Sequence, residues 1–167
     1  MRFRTLNDIA EICREESLAI SELMILEQEK ETGQPKEEIV AQMAGYYRIM
    51  KEAVRKGLET ETKSRSGLVG GDARKVNEYA SASEPSVGDW AGKAMAYALS
   101  VSEVNASMGR IVATPTAGSC GIIPGVFVSS QERFGWSDEK LVQGLFGAGA
   151  IGYVIANNSF ISGAEGG

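Results

Sequence analysis

A cysteine at position 120 is the residue of this sequence best placed for metal-binding chemistry. It belongs to a short turn with the sequence Thr114-Pro115-Thr116-Ala117-Gly118-Ser119-Cys120-Gly121. We predict a helix directly after this turn, so the thiol would lie near free backbone amides and the positive end of a helix dipole. Both favour the thiolate, which is the form that binds metal. The alternative is a small side chain packed in a turn, and the local pattern leaves both interpretations open.

The absence of histidine limits the chemistry further. The 167 residues contain no His and two Cys, which excludes Ser-His-Asp catalysis, Cys-His catalysis and His-containing zinc sites within this chain. Two thiols are too few for a Cys-only zinc site or a disulfide framework. We expect Cys13, the other cysteine, to be a small buried hydrophobe on the apolar face of a helix. The remaining chemistry must use thiolate, carboxylate, hydroxyl or backbone amides, or a group supplied from elsewhere.

Two further glycine-rich strings are candidates for binding. Residues 66–72 form a turn whose successive amides could cradle an anion. Gly147, Gly149 and Gly152 match the dinucleotide-binding string GxGxxG, which carries meaning only between a strand and a helix. Here the string follows a predicted helix that begins near Ser137, so we expect its small residues to allow close helix–helix approach. Besides metal-binding chemistry at Cys120, two other functions stay open: a dinucleotide-binding oxidoreductase and a non-catalytic helical interaction module.

The elements that position these residues are predicted to be helices. Apolar residues recur at spacings of three and four, and no segment shows a convincing strand alternation or an internal repeat. Thr5 and Asp8 have the spacing of a capping box, and Gly33 is expected to end the helix that they begin. Residues 122–128 and 141–156 are apolar on nearly all sides and are expected to form the buried centre. We predict an all-α helical bundle with long Gly/Ser-rich loops, a loop over 62–88, and helices near 5–32, 36–60, 88–110, 121–134 and 138–156.

Composition and charge narrow the class of protein. With 43% hydrophobic and 23% charged residues, we expect residues 1–167 to form a single helical domain. No stretch approaches the roughly 20 apolar residues of a membrane span, and the first residues lack the apolar run of a secretory signal. The net charge of −5 gives no reason to expect nucleic acid. We therefore expect a cytoplasmic protein without membrane or nucleic-acid partners.

Three strings taken together resemble the alpha subunit of the iron–sulfur-dependent L-serine dehydratases in order and spacing. They begin at Ser66, Thr114 and Ser162, and the resemblance spans essentially the whole chain. Many relatives have Asn where this chain has Ala117. In the family a cysteine follows the third string directly and another comes shortly after, whereas this sequence stops at Gly167. We therefore expect an N-terminal fragment of the catalytic domain.

The resemblance implies a lyase that converts L-serine to pyruvate and ammonia without pyridoxal phosphate, in amino-acid catabolism and gluconeogenesis. The family uses a 4Fe-4S cluster held by three cysteines, of which Cys120 would be the first, and the open iron acts as a Lewis acid on the serine hydroxyl. A fragment without the later cysteines is expected to hold no intact cluster and to be inactive. The implied partners are L-serine and a beta subunit, further copies of the chain, or both.

The resemblance also implies which residues contact the substrate. They come from the three strings, and we expect residues 62–75 and 114–119 to converge on one pocket. The general base is not identifiable from this sequence. The implied substrate-binding residues are Ser66, Gly67, Thr116, Ala117, Gly118, Ser162, Gly163 and Glu165.

Overall fold

The computed structural model describes residues 1–59, 63–82, 85–114, 116 and 118–160. Within these ranges the protein forms seven α-helices and no β-strand, so the predicted all-α class is confirmed. No helix in the described ranges is both long enough and apolar enough to cross a bilayer. The helices are α1 (Leu6–Glu15), α2 (Ile20–Thr32), α3 (Lys36–Glu59), α4 (Asp72–Ala82), α5 (Asp89–Ala106), α6 (Ser119–Phe134) and α7 (Asp138–Asn158).

The chain divides into two compact units. The first contains residues 1–45 and 138–167, and the second contains residues 46–137. Both turns that carry the candidate chemistry at 66–72 and 114–120 belong to the second unit, together with α4, α5 and α6. The assignment of residues 1–167 to one domain stays a prediction.

The first predicted helix is interrupted in the structure. Thr5 and Asp8 form the expected capping box, in which the Thr5 hydroxyl accepts from the Asp8 amide and the Asp8 carboxylate accepts from the Thr5 amide. The helix ends at Glu15, however, and Ser17 adopts a left-handed conformation with φ of 54°. A single helix over 5–32 is therefore wrong, because a residue with positive φ cannot continue a right-handed helix. Gly33, with φ of 70°, ends the second of the two helices as expected.

A helix absent from the sequence prediction lies within the predicted loop at 62–88. This helix, α4, buries only Ala73 and Ala80. Its inner face is formed mainly by small side chains, so the spacing pattern that predicts amphipathic helices is too weak to reveal it. Asp72 occupies its first turn, where the helix dipole favours a negative charge.

Helices α5 and α6 pack closely against each other through small residues. A Cβ atom added at Gly121 would lie 2.6 Å from the Ala98 carbonyl oxygen, and one added at Gly125 would lie 2.7 Å from the Ala94 carbonyl oxygen. The contact moves towards the start of α5 as it moves along α6, so the two helices are antiparallel. Because glycine has no Cβ atom, Gly121 and Gly125 let the backbones of α5 and α6 approach more closely than any other residue would allow.

The two most apolar segments bury one face each rather than their whole circumference. In α6, Ile122 is 58% exposed and Val126 is also exposed. In α7, Ile151 and Ile155 are exposed, while Phe146 on the opposite face is fully buried. The prediction that these segments form the buried centre is wrong for their outer faces, because an apolar composition does not by itself specify how many neighbours a helix has.

A buried carboxylate links the beginning of the chain to α2 in the first unit. Glu27 is 3% exposed, and its two oxygens accept hydrogen bonds from the Arg2 side chain at 2.7 Å and the Arg2 backbone amide at 2.6 Å. Lys30 adds a longer ion pair at 3.4 Å. A buried charge of this kind is tolerated because it is both paired and hydrogen-bonded.

Candidate functional site

The first candidate turn, residues 64–71, is exposed and held by its own hydrogen bonds. The Ser64 amide donates to the Val69 carbonyl at 2.7 Å, and the Ser64 and Ser66 hydroxyls are 3.1 Å apart. Gly67 has φ of 74°, a left-handed conformation that favours glycine, and it allows the chain to reverse here. Ser66 and Gly67, both predicted to bind substrate, are exposed on this turn.

The end of this turn is fastened to α5 by a buried glutamate. The backbone amides of Asp72 and Ala73, the first two residues of α4, both donate to Oε1 of Glu103 at 2.8 and 3.0 Å. The glutamate side chain thus takes the place of an N-cap for α4, since it satisfies two amides that have no partner within the helix.

The second candidate turn is organised by a reciprocal pair of hydrogen bonds. The Ser119 amide donates to the Thr116 hydroxyl, and the Thr116 amide donates to the Ser119 hydroxyl, both at 3.1 Å. This is the arrangement of a capping box with Ser in place of Glu. The Thr114 hydroxyl also contacts the Ser119 hydroxyl. Thr116 and Gly118 are exposed, while Ser119 lies half-buried at the centre of the network.

Cys120 is the second residue of α6, so the structure places it at the start of a helix as the sequence predicts. Its thiol is half-buried, accepts a hydrogen bond from the Thr114 hydroxyl at 3.3 Å and lies 3.4 Å from the Thr116 carbonyl oxygen. Residue 124, which would donate to the Cys120 carbonyl in a regular helix, is Pro and has no N–H. The thiol and a carbonyl that lacks its usual helical donor therefore lie together at the beginning of α6.

Both turns lead into helices that begin against the same end of α5. Helix α4 starts beside Glu103, to which its first amide donates, and a Cβ atom added at Gly121, near the start of α6, would lie 2.9 Å from the Ser102 hydroxyl. Ser102 and Glu103 are consecutive residues near the end of α5, so the two helix N-termini lie at nearly the same level along it. This placement supports the expectation that residues 62–75 and 114–119 form one pocket, which stays a prediction.

Two open clefts lie elsewhere, beside Trp90 at the beginning of α5. Their lining includes Asp89, Lys93, Glu132 and Arg133, and no residue of either turn. Their distance along α5 from Glu103 separates them from the candidate site. The candidate site is therefore defined by the residues of the two turns and not by these clefts.

Four of the predicted substrate-binding residues lie among those that the structure describes, and they are Ser66, Gly67, Thr116 and Gly118. The other four, Ala117, Ser162, Gly163 and Glu165, lie outside the described residues.

Sequence reasoning missed three residues of the site, and those are Glu103, Thr114 and Ser119. The spacing of Thr116 and Ser119 is that of a capping box and could have identified the serine. Glu103 stands between the buried residues Val101 and Val104, and a lone acid among them is a signal that was available.

The dinucleotide-binding alternative does not fit the structure. Gly147, Gly149 and Gly152 lie inside the continuous helix α7, with no strand before them in the described ranges, and their amides belong to the helix. The expected close helix–helix approach is also wrong at these positions, because a Cβ atom added at any of the three would meet nothing within 4 Å among the described residues.

The thiols fit a metal cluster only in part. The described residues contain no group of three or more His, Cys, Asp or Glu side chains that could hold a metal ion. Cys120, at a helix N-terminus with a hydroxyl donor to its sulfur, suits a single ligand position. Cys13 is half-buried rather than fully buried, and burial raises the pKa of its thiol, with the Glu16 and Glu22 carboxylates adding to the effect.

Comparison with known proteins decides the family. The sequence model described as serine dehydratase alpha chain matches residues 15–167. The chain belongs to this family. It is 42% identical, over 99% of its length, to the probable L-serine dehydratase alpha chain of Bacillus subtilis (strain 168), and 36% identical, over 98%, to the L-serine dehydratase alpha chain of Peptoniphilus asaccharolyticus. It is also 32% identical, over 98% of its length, to the L-serine dehydratase TdcG of Escherichia coli (strain K12).

The matched region is only part of each relative. It covers 55% of the Bacillus subtilis protein, 56% of the Peptoniphilus asaccharolyticus protein and 37% of the Escherichia coli protein. This member of the serine dehydratase alpha chain family thus spans about half the length of the alpha chains it resembles.

Proposed function

We propose that this chain is part of an L-serine dehydratase, a lyase that converts L-serine to pyruvate and ammonia. In this proposal the chain supplies two loops that bind the substrate and the first cysteine ligand of a metal cluster. The observation that carries the proposal is that two Gly/Ser/Thr turns lead into helices anchored on the same end of α5, with Cys120 directly after the second turn. The names of the related alpha chains support the same activity.

The exposed groups of the two turns suit an amino-acid substrate. The proposed contacts to the substrate carboxylate and ammonium groups come from Ser66, Gly67, Thr116 and Gly118. The Gly67 amide donates to Ser64 and the Thr116 hydroxyl donates to Ser119 within their turns, so these two donors must turn towards the substrate when it binds. The N-terminus of α6 adds the positive end of a helix dipole, which favours a bound carboxylate. The proposed contacts from Ala117, Ser162, Gly163 and Glu165 complete the set that the resemblance implies.

Cys120 is proposed as one of three cysteine ligands of a 4Fe-4S cluster. When bound, such a cluster supplies a Lewis acid that makes the serine hydroxyl a better leaving group, so that pyridoxal phosphate is not needed. The chain has two cysteines, one fewer than the cluster requires. We therefore propose that the chain alone holds no intact cluster and has no activity, and that the remaining ligands and the base come from elsewhere in the enzyme.

The proposed partners follow from the same reasoning. They are L-serine and a beta subunit, further copies of the chain, or both, in a cytoplasmic enzyme without nucleic-acid partners. In the reaction, loss of the Cα proton and of water gives an enamine, and its tautomerisation and hydrolysis release ammonia and pyruvate.

Kinetics and absorbance of the complete enzyme, purified without oxygen, test the proposal. Ser66→Ala and Thr116→Ala should raise the KM for L-serine several-fold with unchanged cluster absorbance. Cys120→Ser should remove the absorbance and the turnover together, because a hydroxyl is a poor substitute for a soft thiolate. Ser81→Ala, an exposed hydroxyl on α4 outside both turns, serves as the control.

Two outcomes would contradict the proposal. Retention of cluster and turnover in Cys120→Ser would make Cys120 a packing residue. A complete protein with neither visible absorbance nor serine turnover would favour the alternative of a helical interaction module.

A further inference from the structure

Glu103 is a buried carboxylate with no cationic partner among the described residues. Its side chain is 3% exposed, and no described Lys or Arg forms an ion pair with it. Its oxygen Oε2 is fully buried and accepts no hydrogen bond from any described group. A carboxylate in this environment is costly unless specific contacts stabilise its charge.

The contacts that stabilise it are the two first amides of α4. Oε1 accepts from the Asp72 amide at 2.8 Å and from the Ala73 amide at 3.0 Å, at the end of the helix where the dipole is positive. Both donors lie directly after the Ser66–Gly71 turn, whose last two residues have φ of 143° and 89°. Glycine is flexible at such positions, and the two amide hydrogen bonds to Glu103 are what attach this end of the turn to α5.

We propose that Glu103 is a positioning residue of the serine site, which locks the first turn of α4, and with it the Ser66–Gly71 turn, onto α5. This inference rests on the proposed function, since it assumes that the turn binds L-serine. Glu103 follows Ser102, which faces the beginning of α6 at Gly121. The hydrogen bonds to Glu103, which we call the clamp, therefore hold the Ser66–Gly71 turn at the level of α5 where the Cys120 turn enters α6. The distance between the substrate-binding groups of the two turns depends on this clamp.

The test combines amide hydrogen exchange with kinetics in the complete enzyme. Glu103→Ala should speed exchange of the Asp72 and Ala73 amides by at least about tenfold, the factor expected for the loss of a charge-assisted hydrogen bond. The KM for L-serine should rise several-fold while the cluster absorbance is retained and kcat falls less. Glu103→Gln keeps an oxygen acceptor in a side chain of the same shape. Its exchange rates at Asp72 and Ala73 and its KM should therefore stay near the native values.

Two further variants complete the design. Glu78→Ala removes an exposed carboxylate of α4 that pairs with Arg74 at the surface. This variant should change neither the amide exchange rates nor the KM. If Glu103→Ala does not fold, Glu103→Asp withdraws the carboxylate by one methylene and should give the same changes in weaker form.

The outcomes separate the inference from the function on which it rests. Exchange and KM in Glu103→Ala equal to those in Glu78→Ala would overturn the positioning role. A raised KM in Glu103→Gln with native exchange would mean that Oε2 contacts the substrate directly, and the positioning role would be wrong. A native enzyme that does not turn over serine would refute the proposed function and the substrate role together, while the exchange experiment would still decide whether the clamp exists.

Discussion

The same substitution, glycine to alanine, should have opposite effects on stability at two helical positions. Gly125 lies inside α6 against α5, and an added Cβ atom would lie 2.7 Å from both the Ala94 carbonyl oxygen and the Ala98 amide nitrogen. Gly149 lies inside α7, is exposed, and has nothing within 4 Å of an added Cβ atom among the described residues. The two variants therefore share the change in helix propensity and differ in packing.

The magnitudes follow from these two effects. Alanine stabilises a helix interior by about 1 kcal/mol relative to glycine, and this gain applies at both positions. At Gly125 the Cβ atom meets backbone on the neighbouring helix, which cannot move aside as a side chain can, so we take about 3 kcal/mol from the upper end of the overpacking range. We expect Gly125→Ala to lower the free energy of unfolding by about 2 kcal/mol and Gly149→Ala to raise it by about 1 kcal/mol.

Urea unfolding provides the assay. With a denaturant dependence of about 2 kcal/mol per molar, the two midpoints should differ by about 1.5 M. Far-UV circular dichroism reports all helices, whereas the two tryptophans, Trp90 and Trp136, both report the second unit, which contains Gly125. A Gly125→Ala variant as stable as the native protein would show that α5 and α6 are not packed as closely as described. A destabilised Gly149→Ala variant would show that the outer face of α7 is covered.

Three further predictions concern the cap, the buried ion pair and the thiols. Thr5→Ala should lower the free energy of unfolding by about 1 kcal/mol, because it removes the N-cap of α1; an unchanged urea midpoint would contradict this. Burial raises the pKa of Glu27, but hydrogen bonds from Arg2 lower it by more, to below its ordinary 4.5, so this stability is present above pH 4.5 and is lost as the pH falls through the lower folded value. Glu27→Gln should flatten the dependence of unfolding on pH in that range, and an unaltered acid transition would refute the role of the pair. Burial raises the pKa of the Cys13 thiol, so in single-cysteine variants at neutral pH Cys120 should react faster with iodoacetamide than Cys13; equal rates would contradict this.

Local signals in the sequence predicted the helix ends better than the loops. The Thr5–Asp8 capping box and Gly33 lie where they were expected, because each acts through hydrogen bonds or backbone conformation within a few residues. The break at Ser17 has no such signal. Serine seldom adopts positive φ, and the surrounding apolar spacing continues across the break.

Interactions between distant residues were the part that the sequence could not supply. Two glycine-containing strings, at 121–125 and 147–152, look equally suited to close helix packing, yet among the described residues only the first meets another backbone. The difference depends on which helix lies opposite, and this is set by the whole fold. The same is true of Glu103, whose two amide donors are available only because α4 begins beside it.

The end of α5 carries two kinds of attachment that differ in how they can yield. At Ala98 and Ser102 the attachment is steric, since Gly121 brings α6 against the Ala98 carbonyl and the Ser102 side chain. At Glu103 it is electrostatic, since two amide hydrogen bonds and a helix dipole hold α4. Close packing has a steep distance dependence, so the contact at Gly121 tolerates little displacement. The attachment at Glu103 depends instead on two amide hydrogen bonds to one carboxylate oxygen. In the complete enzyme we therefore expect Gly121→Ala to displace the start of α6 and to lower the absorbance of the proposed cluster. Glu103→Ala should retain that absorbance and raise the KM for L-serine more than it lowers kcat.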